Sequence, residues 1–178
     1  MTTIHKGAER DAEPQAWPKR AWNRFRVGSC LDLPDATAVP RIRRMGQESV
    51  PWLVEKIAKG GLESAKAAHL LGRLAEWRHI DCITAIEPLE RLVKSCDFVE
   101  AQSAAMALIA INTEDSILAA LGGYVDGSLT SRKCVVSAFT ANGNEWARTY
   151  LEAAAVDCKD ANVRVAARRI LSKLREGH

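Results

Sequence analysis

An internal repeat restricts the fold of this chain more than any other feature. Ala67-Ala68 followed by Leu71 recurs as Ala104-Ala105 with Leu108, as Val135-Val136 with Phe139, and as Ala166-Ala167 with Ile170. Successive units lie 37, 31 and 31 residues apart. That spacing holds two helices and a turn, and a fixed period of this size marks architectures whose units pack on their neighbours. A lone helix pair cannot cover its own apolar face, so stacked pairs must share one continuous core. Small residues at the paired positions let the second helix of each unit lie close to the next. The branched or aromatic residue that follows fills the layer between units.

Periodicity within the units points to helices. From Gly46 onward, apolar-periodic segments run over about 49–59, 63–76, 80–95, 99–112, 115–125, 130–141, 145–157 and 161–175. Each shows the i, i+3, i+4, i+7 pattern of an amphipathic helix. Val50, Leu53, Val54 and Ile57 share a face in the first, as do Val163, Ala166, Ala167, Ile170, Leu171 and Leu174 in the last. Gly60-Gly61, Asn112-Thr113, Asp126-Gly127 and Asn142-Gly143-Asn144 supply helix-ending chemistry between them. No segment alternates as a strand would. The expected fold is all-α: a right-handed α-solenoid of about four helix pairs over 46–178, with an N-terminal helical cap over 14–45 in the same domain. A short piece with Val39, Ile42 and Met45 three residues apart ends the cap. Trp17, Ala21, Trp22 and Phe25 form a stripe suited to covering the open face of the first full pair, with Pro18 in the first turn. Residues 1–13 are polar and aperiodic, the pattern of a flexible tail.

Two stretches carry a resemblance to the HEAT-repeat family, in particular to the short bacterial-type repeats of phycobilin lyases. Asp160-Ala-Asn-Val163-Arg164-Val-Ala166-Ala167-Arg-Arg-Ile170-Leu171 resembles the inner-helix pattern of aspartate, Val-Arg, an Ala pair and a branched residue. Met45-Gly46-Gln-Glu-Ser-Val50-Pro51-Trp-Leu53-Val54-Glu-Lys-Ile57 resembles the start of an outer helix. Leu71-Gly72-Arg73-Leu74 and Ile86-Glu-Pro88-Leu89 echo the same units. The likeness covers roughly 36–176 and speaks to fold far more than to function. The third unit departs from the pattern: Lys133 stands for the arginine, valines for the Ala pair, and Asn142 where the first unit has Leu74.

Catalytic chemistry is hard to find. The four histidines, His5, His69, His79 and His178, form no HExxH motif. His79, Cys82 and Cys96 lack the fourth ligand and the spacing of a zinc site. Gly122-Gly123 is not followed by the lysine of a phosphate loop and reads as a helix bend or a close packing contact. Glu87 with Glu90, or Glu63 with Glu100, could pair, but nothing in sequence raises one carboxyl's pKa as acid–base work requires. The expectation is a non-enzyme with no cofactor and no metal. The five cysteines are scattered, with no CxxC, no apolar run of signal-peptide type opens the chain, and no stretch approaches the ~20 apolar residues of a membrane helix. Those features imply a cytoplasmic protein.

Partner chemistry is read from charge and from the resemblance. The chain carries +3 overall. Residues 1–46 hold nine Lys/Arg against five Asp/Glu, and 47–178 hold sixteen against seventeen, or −1. A basic N-terminal face of Arg20, Arg24, Arg41, Arg43 and Arg44 would suit an anionic partner such as nucleic acid. HEAT-like alkyl-base glycosylases use tryptophans on a basic face, which draws attention to Trp52, Trp77 and Trp146. The near-neutral repeat region offers few phosphate contacts, so nucleic acid is the second choice. In HEAT stacks the second helices line a concave side. Aligning the units there gives ridges of Lys66, Ser103, Cys134 and Val165; of His69, Met106, Ser137 and Arg168; and of Arg73, Ala110, Ala141 and Ser172. Lys66, His69, Arg73, Met106 and Arg168 are the candidate partner-binding residues. The first expectation is a protein-binding module, an adaptor or a toxin-neutralising immunity protein acting by occlusion, with a long curved surface and no natural pocket. The immunity reading follows from the resemblance alone.

Overall fold

The computed structural model describes residues 35–77, 80–142 and 145–176 of the chain. Among them the structure is all-helical, without a strand. The helices are α1 (Asp35–Met45), α2 (Val50–Lys59), α3 (Leu62–Ala75), α4 (Ile86–Val93), α5 (Phe98–Ile111), α6 (Glu114–Asp126), α7 (Leu129–Ala141), α8 (Glu145–Asp157) and α9 (Ala161–Glu176). The expected tail over 1–13 and the stripe of Trp17, Trp22 and Phe25 lie outside the described residues.

Local chemistry sets most boundaries. Asp97 caps α5 by accepting from Val99 N and Glu100 N, Thr113 and Ser116 cap α6 reciprocally, and Ser128 caps α7 by accepting from Ser131 N. Asn112 ends α5 in the left-handed region at φ 56°, which asparagine tolerates better than most residues. Gly60 and Gly61, at φ 74° and 83°, turn the chain between α2 and α3. The expected helix over 80–95 is shorter than its pattern. Proline lacks an N–H and belongs in a helix's first turn. Pro88 therefore fixes the start of α4 near Ile86, and a 3-10 turn, Ile83–Ala85, precedes it. Pro51 does the same for α2 behind Gly46–Ser49. The two prolines are 37 residues apart, the repeat offset.

Contacts between helices follow an alternating rule. α3 packs on α5, α5 on α7 and α7 on α9, while α2 packs on α4, α4 on α6 and α6 on α8. Across the rows α2 packs on α3, α4 on α5, α5 on α6, α6 on α7 and α8 on α9, α9 also meets α6, and α1 continues the first row by packing on α3. One interior runs between the rows, built from Leu53, Leu71, Leu89, Leu108, Leu121, Phe139, Leu151 and Ile170, all at most 1% exposed. The paired alanines of the repeat are buried on the first row, where they allow close approach. A Cβ added to Gly72 would sit 3.1 Å from Ala107 Cα, and one on Gly123 only 2.4 Å from Val93 Cγ1. Truncating Leu108 to alanine would cost ~2–5 kcal/mol.

Candidate interaction surface

Helices of the first row run parallel. Near their N-termini, Glu100 Oε1 accepts from Gly61 N at 2.7 Å and from Ser64 Oγ at 3.1 Å, and Cys134 Sγ lies 3.8 Å from Phe98 O. At their C-termini, Asn142 Nδ2 reaches Met106 Sδ at 3.7 Å. Repeat-equivalent residues therefore line up between α3 and α5, whereas α7 is shifted by about five residues against α5.

The expected ridge is only partly present. Lys66 and His69 on α3 and Met106 on α5 are half-buried, and Arg73 on α3 is exposed. These four occupy adjacent helices. His69 Nε2 stands 3.0 Å from Asp35 Oδ2 but is misaligned for a hydrogen bond, and that nitrogen is shut off from solvent. Arg73 pairs with Glu76 at 2.6 Å. Met106 packs against the core as well as facing outward. Arg168 is exposed, while the expected outward position of Cys134 must be corrected. Arg168, on α9, turns toward α8, where its Nε donates to Ala155 O at 3.1 Å, because the last carbonyls of a helix lack internal donors. Cys134 is fully buried beneath the start of α5, and burial pushes its thiol pKa up. The middle of the ridge is thus carried by Met106 and the exposed Ser137.

The basic face is also altered. Arg20 and Arg24 lie outside the described residues. Arg41 is half-buried, and Arg43 and Arg44 are exposed. The Arg43 guanidinium sits 3.5 Å from the centre of the Trp77 ring, a contact worth ~0.5–1 kcal/mol at a surface. Arg44 Nε reaches Pro40 O at 3.4 Å. Trp52 belongs to the core, so it provides no stacking platform, whereas Trp146 is 58% exposed.

Sequence reasoning expected no pocket, yet an open cleft of about 720 Å³ lies at the C-terminal ends of α3, α5 and α7. Ala75 and Glu76, Ile109–Asn112 and Asn142 form its floor. Ile80–Ile83 and Thr113 close one side, and Trp146 stands at the edge. Gln47 fastens that side from α1's end of the molecule: its Nε2 donates to Asp81 O at 2.8 Å and its Oε1 accepts from Asp81 N at 2.7 Å. The signal for this cleft was in the sequence. Asn112 and Asn142 were legible as helix ends, and the repeat puts such ends on one edge.

Several of the titratable groups among the described residues are held in ion pairs. Glu63 pairs with Lys56, which holds its carboxyl below the usual range, and Glu90 pairs with Lys94. Burial, reinforced by Asp81, pushes the Cys82 thiol up to about 11, so it stays protonated at neutral pH. His79 lies outside the described residues. Among the described ones, no three His, Cys, Asp or Glu side chains cluster as metal ligands. Among the described residues the buried polar side chains Ser64, Ser116 and Ser131 sit in first turns and Ser49 at the N-cap of α2, and each bonds a nearby carbonyl. No helix among the described residues is long and apolar enough to cross a membrane. No protein-family model matches the chain, and neither does any curated protein.

Proposed function

We propose that this chain is a short right-handed HEAT-like stack of about four helix pairs that binds another protein through its first row and performs no chemistry. The observation that carries this reading is the alternating contact pattern, in which like helices of successive repeats lie side by side in parallel. Such a row offers a continuous surface of repeated positions, on which a partner helix or segment can lie. Lys66, His69, Arg73, Met106 and Ser137 form the part of the row that faces outward together. Polarizable, flexible Met106 among small residues is adaptable contact material. The partner is an adaptor's client or a toxin whose site is covered, and the protein works in the cytoplasm. The unpaired thiols of Cys82, Cys96, Cys134 and Cys158 support a reducing compartment. Arg43, already stacked on Trp77, weakens the alternative of a nucleic-acid face.

The test is photo-crosslinking in the host cell with an unnatural residue at Ser137 or Arg73, and separately at Arg91 on the second row. One discrete crosslinked protein from the first-row positions and none from Arg91 would support the reading. Crosslinks to nucleic acid, or equal yields from both rows, would contradict it.

A further inference from the structure

We infer that the cleft at the C-terminal ends of α3, α5 and α7 receives an arginine or lysine side chain, flanked by apolar residues, from the partner protein. This rests on the protein-binding reading above and adds the chemistry of what is bound. Three observations converge. First, three parallel helices end on the cleft, and each presents carbonyls that no amide of its own helix can satisfy. A helix C-terminus acts as about half a negative charge. Second, the charged residues lining the cleft among the described residues, Glu76 and Asp81, are both acidic. Glu76 is shared with Arg73. Asp81 Oδ1 accepts from Ile83 N at 2.9 Å, while Oδ2 has no partner among the described residues. Third, Trp146 and Ile83, each 58% exposed, put large apolar surface on the lining of the same cleft. An aromatic face next to a negative site favours a cation with a hydrocarbon stem, since the ring attracts the charge and the stem covers the isoleucine.

The experiment uses the full chain, isotopically labelled, and follows amide and indole resonances during titration with the blocked peptide acetyl-Leu-Arg-Leu-amide. Acetyl-Leu-Glu-Leu-amide is the control. The Trp146 indole signal is assigned by its loss in Trp146→Phe. Saturable shifts at Trp146, Ile83 and Thr113 with the arginine peptide, absent with the glutamate peptide, are expected. Asp81→Asn keeps the acceptor for Ile83 N and should weaken binding about fivefold, the scale of one exposed charge contact. Equal response to both peptides, an unchanged affinity in Asp81→Asn, or no saturation would overturn the inference. So would a cleft that ignores the peptide but whose Trp146 signal moves in Arg20→Glu/Arg24→Glu, because the occupant would then be this chain's own basic segment. A silent cleft combined with a discrete crosslink from Ser137 would reject the cleft and leave the protein-binding reading standing.

Discussion

The two edges of the helix rows differ in how they are held. At the edge where α3, α5 and α7 begin, polar side chains bind one helix to the next. Glu100 takes Gly61 N, Ser64 Oγ and, at 2.6 Å, Ser95 Oγ. The Ser131 hydroxyl lies 2.5 Å from Val93 O and 2.8 Å from Gly123 O, sharing its one proton between the ends of α4 and α6. Lys94 joins Glu90 to Asp126 across the same helices. At the opposite edge, the cross-links between helices seen among the described residues include Gln47 with Asp81, Arg43 over Trp77 and the weak Asn142–Met106 contact, and a cleft opens. A stack needs only one edge pinned to fix the register of its helices. The other can then stay open at little cost to the fold.

Substitutions can break or sharpen this contrast. Of the two adjacent glycines of α6, the larger effect should come at Gly123, where a methyl would run into the Val93 side chain. Gly123→Ala is expected to destabilise by ~1–3 kcal/mol through overpacking. Gly122→Ala meets only Glu90 Oε1 at 3.5 Å and should be neutral or stabilise by up to ~1 kcal/mol through helix propensity. Urea denaturation of both variants distinguishes them. Glu100→Ala, which strips acceptors from Gly61, Ser64 and Ser95, should cost ~1–3 kcal/mol by the same measurement.

A pH test probes the buried thiol behind the cleft. The folded pKa of Cys82, about 11, is above the ordinary value of ~8.5, so the folded state holds the proton more tightly. Its contribution is complete below ~8.5 and is lost as pH rises toward about 11. Wild type should therefore lose more stability between pH 8 and 10 than Cys82→Ala, which subtracts the titration of other groups. Loss of equal size in both would exclude a buried Cys82. The smallest effects belong to the open edge: Asp81→Asn and Trp146→Ala should each change stability by less than ~0.5 kcal/mol.

Much of the helical layout was legible because the repeat and the periodicity agree. The segment over 145–157 coincides with α8, and α3, α5, α6, α7 and α9 differ from their patterns by a residue or so at each end. Pro88 shortened the segment over 80–95, an effect apolar periodicity does not register. The close-packing option for Gly122-Gly123 is realised at Gly123 against Val93. Individual surface positions were less accessible. Aligning units at offsets of 37 and 31 placed Cys134 on the outer ridge, but the shorter third unit draws that turn under Phe98 O. The repeat placed Arg168 on the surface, where it is exposed, but not its bond to Ala155 O, because a long side chain reaches whichever unsatisfied carbonyl is close. The cleft arises from three helix ends brought side by side, a property of no single segment.

Amide hydrogen exchange on the full chain tests most directly whether one edge pins the stack. Segments 93–101 and 123–134 should be the better protected, and 108–113 with 138–142 should open at lower free energy. Equal protection at both edges, or slower exchange around the cleft, would contradict the account.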